Sequence, residues 1–130
     1  AAPRVEGNFP LNPTDPHSLR QLARLRSLIL AKTHFGFKTV EHIFAEIHRI
    51  WSFVELWGAE HRPQAPVSLS YLLDEQHLLI QLRDHAGWMA AYRARFPADG
   101  VESTGEPQFH PIQTEDSQDC LSLDAKIGYH

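Results

Sequence analysis

The stretch Leu78 to Met89, LLIQLRDHAGWM, carries a hydrophobic strand pattern that ends on a carboxylate. Asp84 is followed by His85, Ala86, Gly87 and Trp88. A carboxylate at a strand end can hold the polar edge of a ligand, and a nearby glycine lets backbone approach that ligand closely. Aspartate in this place also ends strands and caps the following turn. The sequence leaves both roles open for Asp84. Trp88 follows the turn glycine and reads as a pocket wall or a partner contact.

A second group lies earlier. His42, Glu46 and Arg49 share the polar side of a helical pattern at three- and four-residue spacing. A histidine and a carboxylate one turn apart can hold a metal, with His34, His61 or His85 as a third ligand. The same spacing also suits a solvated, ion-paired helix face. The tight motif His-Glu-x-x-His is absent. His48 reads as a phosphoacceptor or as a partly buried structural histidine. Cys120 opens a strand pattern with no identifiable activating base, so nucleophilic catalysis is not expected there.

These side chains need elements to position them. Residues 1–15 hold three prolines and no periodic apolar pattern, so they read as an extended arm ahead of a single domain over 16–130. Asp15 and Pro16 look like a cap and first helical residue. Leu19, Leu22, Leu25 and Ile29 then predict a helix to about Lys32. Gly36 breaks it. Val40, Ile43, Phe44, Ile47, Trp51, Val54 and Trp57 form the stripe of a long second helix, from near Thr39 to a terminator at Gly58. Trp51 and Trp57 sit on that stripe and read as packing residues.

From Val67 the period changes to two. Val67 to Leu73, a turn at Asp74-Glu75-Gln76, and Leu78 to Leu82 predict an antiparallel hairpin. Trp88 to Phe96 reads as a short helix closed by Pro97. Residues 98–119 read as a long polar loop. Leu121, Leu123, Ala125, Ile127 and Tyr129 alternate as a last strand. Two striped helices and a sheet with one apolar face imply an α+β two-layer sandwich, antiparallel-rich and covered by two main helices.

Composition narrows the function classes. The chain has 130 residues, 42% of them hydrophobic and 22% charged, which suits one packed domain. The net charge of -4 argues against nucleic-acid binding. No apolar run approaches the ~18 residues of a membrane span. A single cysteine, Cys120, fits a reducing, cytoplasmic setting. The nine histidines keep a metal or haem reading open. The start AAPRVEG, without methionine, reads as trimmed, processed or cut from something longer.

The order helix, glycine break, long helix, hairpin, aspartate, glycine, lid, strand resembles the GHKL ATPase-like fold. That superfamily includes histidine-kinase catalytic domains and small anti-sigma serine kinases. FGFKTVEHIFAEIHRIWSFVELWG followed by VSLSYLLDEQHLLIQLRDHAG is worded most like the latter. The likeness covers roughly Leu19 to Gly87, with DGVESTGE a faint echo of a lid. It implies a ligand pocket at Asp84, Gly87, Trp88, Ser52 and His48, with ATP and magnesium as the family's ligands.

The chain departs from that pattern. The family's long helix carries a glutamate and, four residues on, an asparagine. Counting back from Gly58 places them at His48 and Ser52, while registering on Glu46 gives Glu46 and Ile50. Neither choice supplies the pair. The family's adenine loop is Asp-x-Gly-x-Gly, but here the glycine is displaced by one and Trp88 replaces the second. With these departures the resemblance implies a regulatory module that acts by protein contact, with ATP hydrolysis lost and a protein partner or second copy bound. The alternatives are a working nucleotide-dependent serine or histidine kinase-like enzyme, and a histidine-based metal or haem enzyme or sensor on an α+β cone like that of nuclear transport factor.

Overall fold

The structure is a computed structural model that describes residues 3–61, 67–97 and 106–127. The elements run β1 (Val5–Pro10), α1 (Pro16–Lys32), α2 (Phe37–His61), β2 (Val67–Leu73), β3 (His77–Asp84), α3 (Met89–Arg95), β4 (His110–Gln113) and β5 (Asp119–Lys126). The strands form one sheet in the order β1-β2-β3-β5-β4, and every neighbouring pair is antiparallel. Leu69, Leu82 and Leu121 share one row across the sheet, and Leu73, Leu78 and Ala125 share another. These rows belong to a single buried cluster with Leu22, Leu25 and Ile29 of α1 and the α2 stripe from Val40 to Val54, while Leu19, expected on the α1 stripe, is exposed and Trp57 is only partly buried. The molecule is therefore an α+β two-layer sandwich.

Local chemistry explains the helix ends. Asp15 accepts from the His17 N–H at 2.9 Å, and Pro16 fills the first turn, as the cap signature requires. Ser18 is buried because its hydroxyl donates to the Pro10 carbonyl at 2.8 Å and accepts from the Asn12 N–H at 3.0 Å. That pair of bonds ties the end of β1 to the start of α1. Gly58 does not end α2, which continues to His61. A glycine inside a helix costs only about 1 kcal/mol. The His61 ring stacks on Trp57 at 4.1 Å, and its Nδ1 reaches the Trp57 carbonyl at 2.9 Å, both of which favour one more turn.

Two strands differ from the sequence expectation. The extended arm expected over residues 1–15 supplies β1, which pairs with β2 from Val5–Leu73 to Pro10–Ser68. Its prolines hide it, because proline is tolerated on an edge strand. Phe9 and Leu11 also enter the core. Inside the expected loop over 98–119, His110–Gln113 forms β4 on the opposite edge. It shows no apolar alternation, and Pro111 sits within it. The last strand lies at Asp119–Lys126, slightly earlier than expected, with Leu121, Leu123 and Ala125 inward. Tyr129, Gly100 and Gly105 lie outside the described residues, as does most of the lid-like DGVESTGE. Among the described residues, no helix is long and apolar enough to cross a membrane.

The register of β1 is testable at Gly7. A Cβ there would lie 2.5 Å from the Tyr71 hydroxyl oxygen and 2.7 Å from its ring carbon Cζ. Gly7→Ala is expected to cost about 1 to 3 kcal/mol in urea denaturation, as other overpacking changes do. Most of that cost should vanish in a Tyr71→Ala background. Equal costs in both backgrounds would place β1 elsewhere.

Candidate functional site

Asp84 closes β3, and its carboxylate turns back onto its own chain. Oδ1 accepts from the Ala86 N–H at 2.9 Å, the Gly87 N–H at 2.6 Å and the Trp88 N–H at 3.3 Å. Oδ2 accepts from the Met89 N–H at 3.0 Å. These donors belong to the turn and the first turn of α3, where backbone N–H groups have no acceptor within the helix. Gly87 carries a φ of 88°, and a Cβ there would meet nothing within 4 Å. Glycine is thus suited to the left-handed turn that wraps the carboxylate, and the space beside it is not what requires it.

Trp88 is fully buried. Its ring packs edge-on against Tyr92 at 6.0 Å, and Tyr92 packs edge-on against Phe53 of α2 at 5.3 Å. This aromatic group joins α3 to α2. Trp88, expected as a pocket wall or a partner contact, is instead a core residue. His48 and Ser52 are exposed on α2 and do not line the cleft described next. The ligand-pocket group expected from the family resemblance is therefore not assembled: Asp84, Gly87 and Trp88 form a capped turn, and His48 and Ser52 stand apart.

A cleft of about 1130 Å³ lies where α2 faces α3 and the approach to β4. Glu46 and Ile50 line it, so the alternative register on α2 is the one that faces an opening. Its floor and walls include Tyr92, Phe96 and Phe109. The Glu46 side chain is only 13% exposed. Its Oε2 stands 2.9 Å from His42 Nε2, without the alignment of a hydrogen bond, so the contact is electrostatic when the imidazole is protonated. Its Oε1 stands 3.9 Å from Arg49 and accepts a long 3.5 Å bond from the Phe109 N–H. Burial pushes the Tyr92 hydroxyl above its ordinary pKa, while the Arg49 guanidinium pulls the other way.

His42 and Glu46 do meet, as a metal pair would. The third ligands expected for them lie elsewhere. His34 faces Glu75 at 3.6 Å, His61 stacks on Trp57, and His85 is held on the other side of the sheet. Among the described residues, no group of three or more His, Cys, Asp or Glu side chains is placed to hold a metal ion. Cys120 is buried, and burial raises its thiol against the pull of Arg83.

One further cluster carries no signal in the sequence. His85 Nε2 lies 2.8 Å from Ser68 Oγ, the distance of an activated nucleophile. The rest of the network opposes that chemistry. Gln118 Nε2 donates to the Asp84 carbonyl at 3.0 Å, which fixes that atom as the amide nitrogen. The same nitrogen then donates to His85 Nδ1 at 2.8 Å. The ring proton assigned by this network sits on Nε2 and is donated to Ser68, which is left without a base. Residues 68, 85 and 118 come together only through the pairing of β2, β3 and β5, and no linear spacing signals that.

Comparison with family models, with curated proteins and with solved structures finds no match to this chain.

Replacing Asp84 with alanine strips the acceptor from four backbone N–H groups. The expected loss is about 2 to 3 kcal/mol in urea denaturation, with Asp84→Asn losing less because its side-chain carbonyl can still cap. Tyr92 gives a pH test. Its pKa is raised in the fold above the ordinary 10.0, so the fold holds that proton more tightly than the unfolded chain does. The stability it contributes is fully present below pH 10 and is lost as pH rises through the folded value. Between neutral and strongly alkaline pH, wild type should lose more stability than Tyr92→Phe.

Proposed function

We propose that this chain is a regulatory binding module of GHKL-type layout that acts by protein contact and has lost ATP hydrolysis. The observation that supports this most is the state of Asp84. A bound base would need its carboxylate free and the space beside it open. The carboxylate instead serves four backbone N–H groups, and Trp88, next to the turn glycine, is buried in the core. The order α1, α2, the β2–β3 hairpin, Asp84 and Gly87 follows the order on which the resemblance rests, and α3 is an addition to it. The cleft lined by Tyr92 lies between two helices and presents arginine and aromatic side chains. Such composition is common where proteins meet. The reading carries a cytoplasmic setting with it, since the one thiol is buried and unpaired.

A nucleotide-dependent enzyme of the same layout is the second reading. Glu46 favours it, because this carboxylate lines the cleft at one of the two positions where the family keeps its glutamate. Ile50 stands where that register needs the asparagine, so that position offers no side-chain amide to magnesium or phosphate.

Thermal unfolding with millimolar Mg-ATP separates the two. Ligand at a hundred times its Kd would add about 2.7 kcal/mol of stability and a plain rise in Tm. We expect no rise. A photo-crosslinking amino acid at Ala90, on the cleft, is expected to give protein adducts in cells, and the same group at Ser52 should not. A clear Mg-ATP shift without adducts at Ala90 would replace the first reading with the second.

A further inference from the structure

The α2–α3 cleft is unlike the rest of the surface in charge. The chain as a whole carries -4, with 12 Lys and Arg against 16 Asp and Glu. The cleft collects Arg49, Arg93 and Arg95 against one carboxylate, Glu46. Glu46 is already committed, with His42 at 2.9 Å, Arg49 at 3.9 Å and the Phe109 N–H on its other oxygen. Among the described residues, neither Arg93 nor Arg95 has a carboxylate within ion-pair distance. Two guanidiniums also lie near one ring. The Arg49 carbon lies 5.4 Å and the Arg95 carbon 5.7 Å from the centre of Phe96. Like charges collected in one cleft repel each other, and an anion bound there relieves that repulsion.

The lining between these charges is apolar. Ile50, Ala90, Ala94, Phe96, Phe109 and Leu121 form most of it. At about 1130 Å³ the cleft slightly exceeds the usual range of small-ligand sites, roughly 300 to 1,000 Å³, and it is open to solvent. A small anion would leave the apolar lining wet. A purely apolar segment would bury arginines without partners, which is costly. An occupant that satisfies both carries carboxylates next to apolar side chains over several residues.

We infer that this cleft takes an acidic, apolar-rich peptide segment of a partner protein, an inference that rests on the protein-contact reading above and names its chemistry. The carboxylates pair with Arg93 and Arg95, in the forked geometry guanidinium favours. The apolar side chains lie along Ala90, Phe96 and Phe109. The net negative charge of the chain opposes an acidic partner at long range, so attraction is confined to the cleft and to distances near the Debye length, about 8 Å at physiological salt.

The test is a selection from a random 12-residue peptide display library on the intact protein, followed by anisotropy measurements on the enriched peptides. Three variants accompany it: the charge reversal Arg93→Glu with Arg95→Glu, Ala90→Trp to fill the cleft, and Ser52→Trp as a control outside it. All four positions are exposed, and unchanged Tm and circular dichroism confirm the folds. The enriched peptides should be net acidic with apolar residues. Their affinity should fall at least tenfold on charge reversal or on Ala90→Trp, stay unchanged on Ser52→Trp, and weaken as salt rises. Neutral or basic peptides that still lose binding on Ala90→Trp would overturn the acidic partner and leave the cleft reading standing. Peptides indifferent to Ala90→Trp would overturn both. Displacement of cleft-bound peptide by micromolar Mg-ATP, or self-association abolished by Ala90→Trp, would also overturn the inference and assign the cleft to nucleotide or to a second copy.

Discussion

The fold around the candidate site depends on one carboxylate. Asp84 receives the N–H groups of Ala86, Gly87, Trp88 and Met89, and so joins the end of β3 to the start of α3. A seven-residue helix has little stability of its own. The cap satisfies its first donors, and burial of Trp88, Met89 and Tyr92 holds it against α2. Gly87 lets the turn close tightly enough for both oxygens to reach. Everything downstream of Asp84, including where Tyr92 and Phe96 point, follows from that joint.

Seating α3 on α2 has two consequences. It buries Trp88 in the core, and it builds the cleft. Tyr92 meets both, with Trp88 at 6.0 Å and its own ring in the cleft lining. Glu46 anchors the cleft through His42, Arg49 and the backbone of Phe109. The positive excess of the cleft arises because the remaining arginines sit on the last turn of α3. There they also suit the negative end of the helix dipole.

Much of the fold was legible because it rests on local pattern. The cap at Asp15–Pro16, the stripe of α2, and the hairpin alternation all come from side chains within a few residues of each other. β1 and β4 were not legible, since edge strands need only one partner and carry no alternation to betray them. Gly58 misled because the stacking of His61 on Trp57 outweighs a weak local preference. At the site, the two candidate roles of Asp84 could not be separated from sequence. The deciding fact is the direction of its carboxylate, which the turn at Gly87 sets. His42 and Glu46 were legible as a pair, since helical spacing alone brings them together. Arg93, Arg95 and Phe109 were not, because the cleft forms from three elements far apart in the chain. The Ser68–His85–Gln118 network was equally hidden.

The central claim is that the Asp84 carboxylate serves the backbone of its own turn and no ligand. Amide hydrogen exchange at Ala86, Gly87, Trp88 and Met89, followed by NMR with and without Mg-ATP, addresses it directly. The account predicts slow exchange at all four amides, faster exchange on Asp84→Ala, and no response to nucleotide. Exchange at the rate of an open loop, slowed only when Mg-ATP is added, would contradict it.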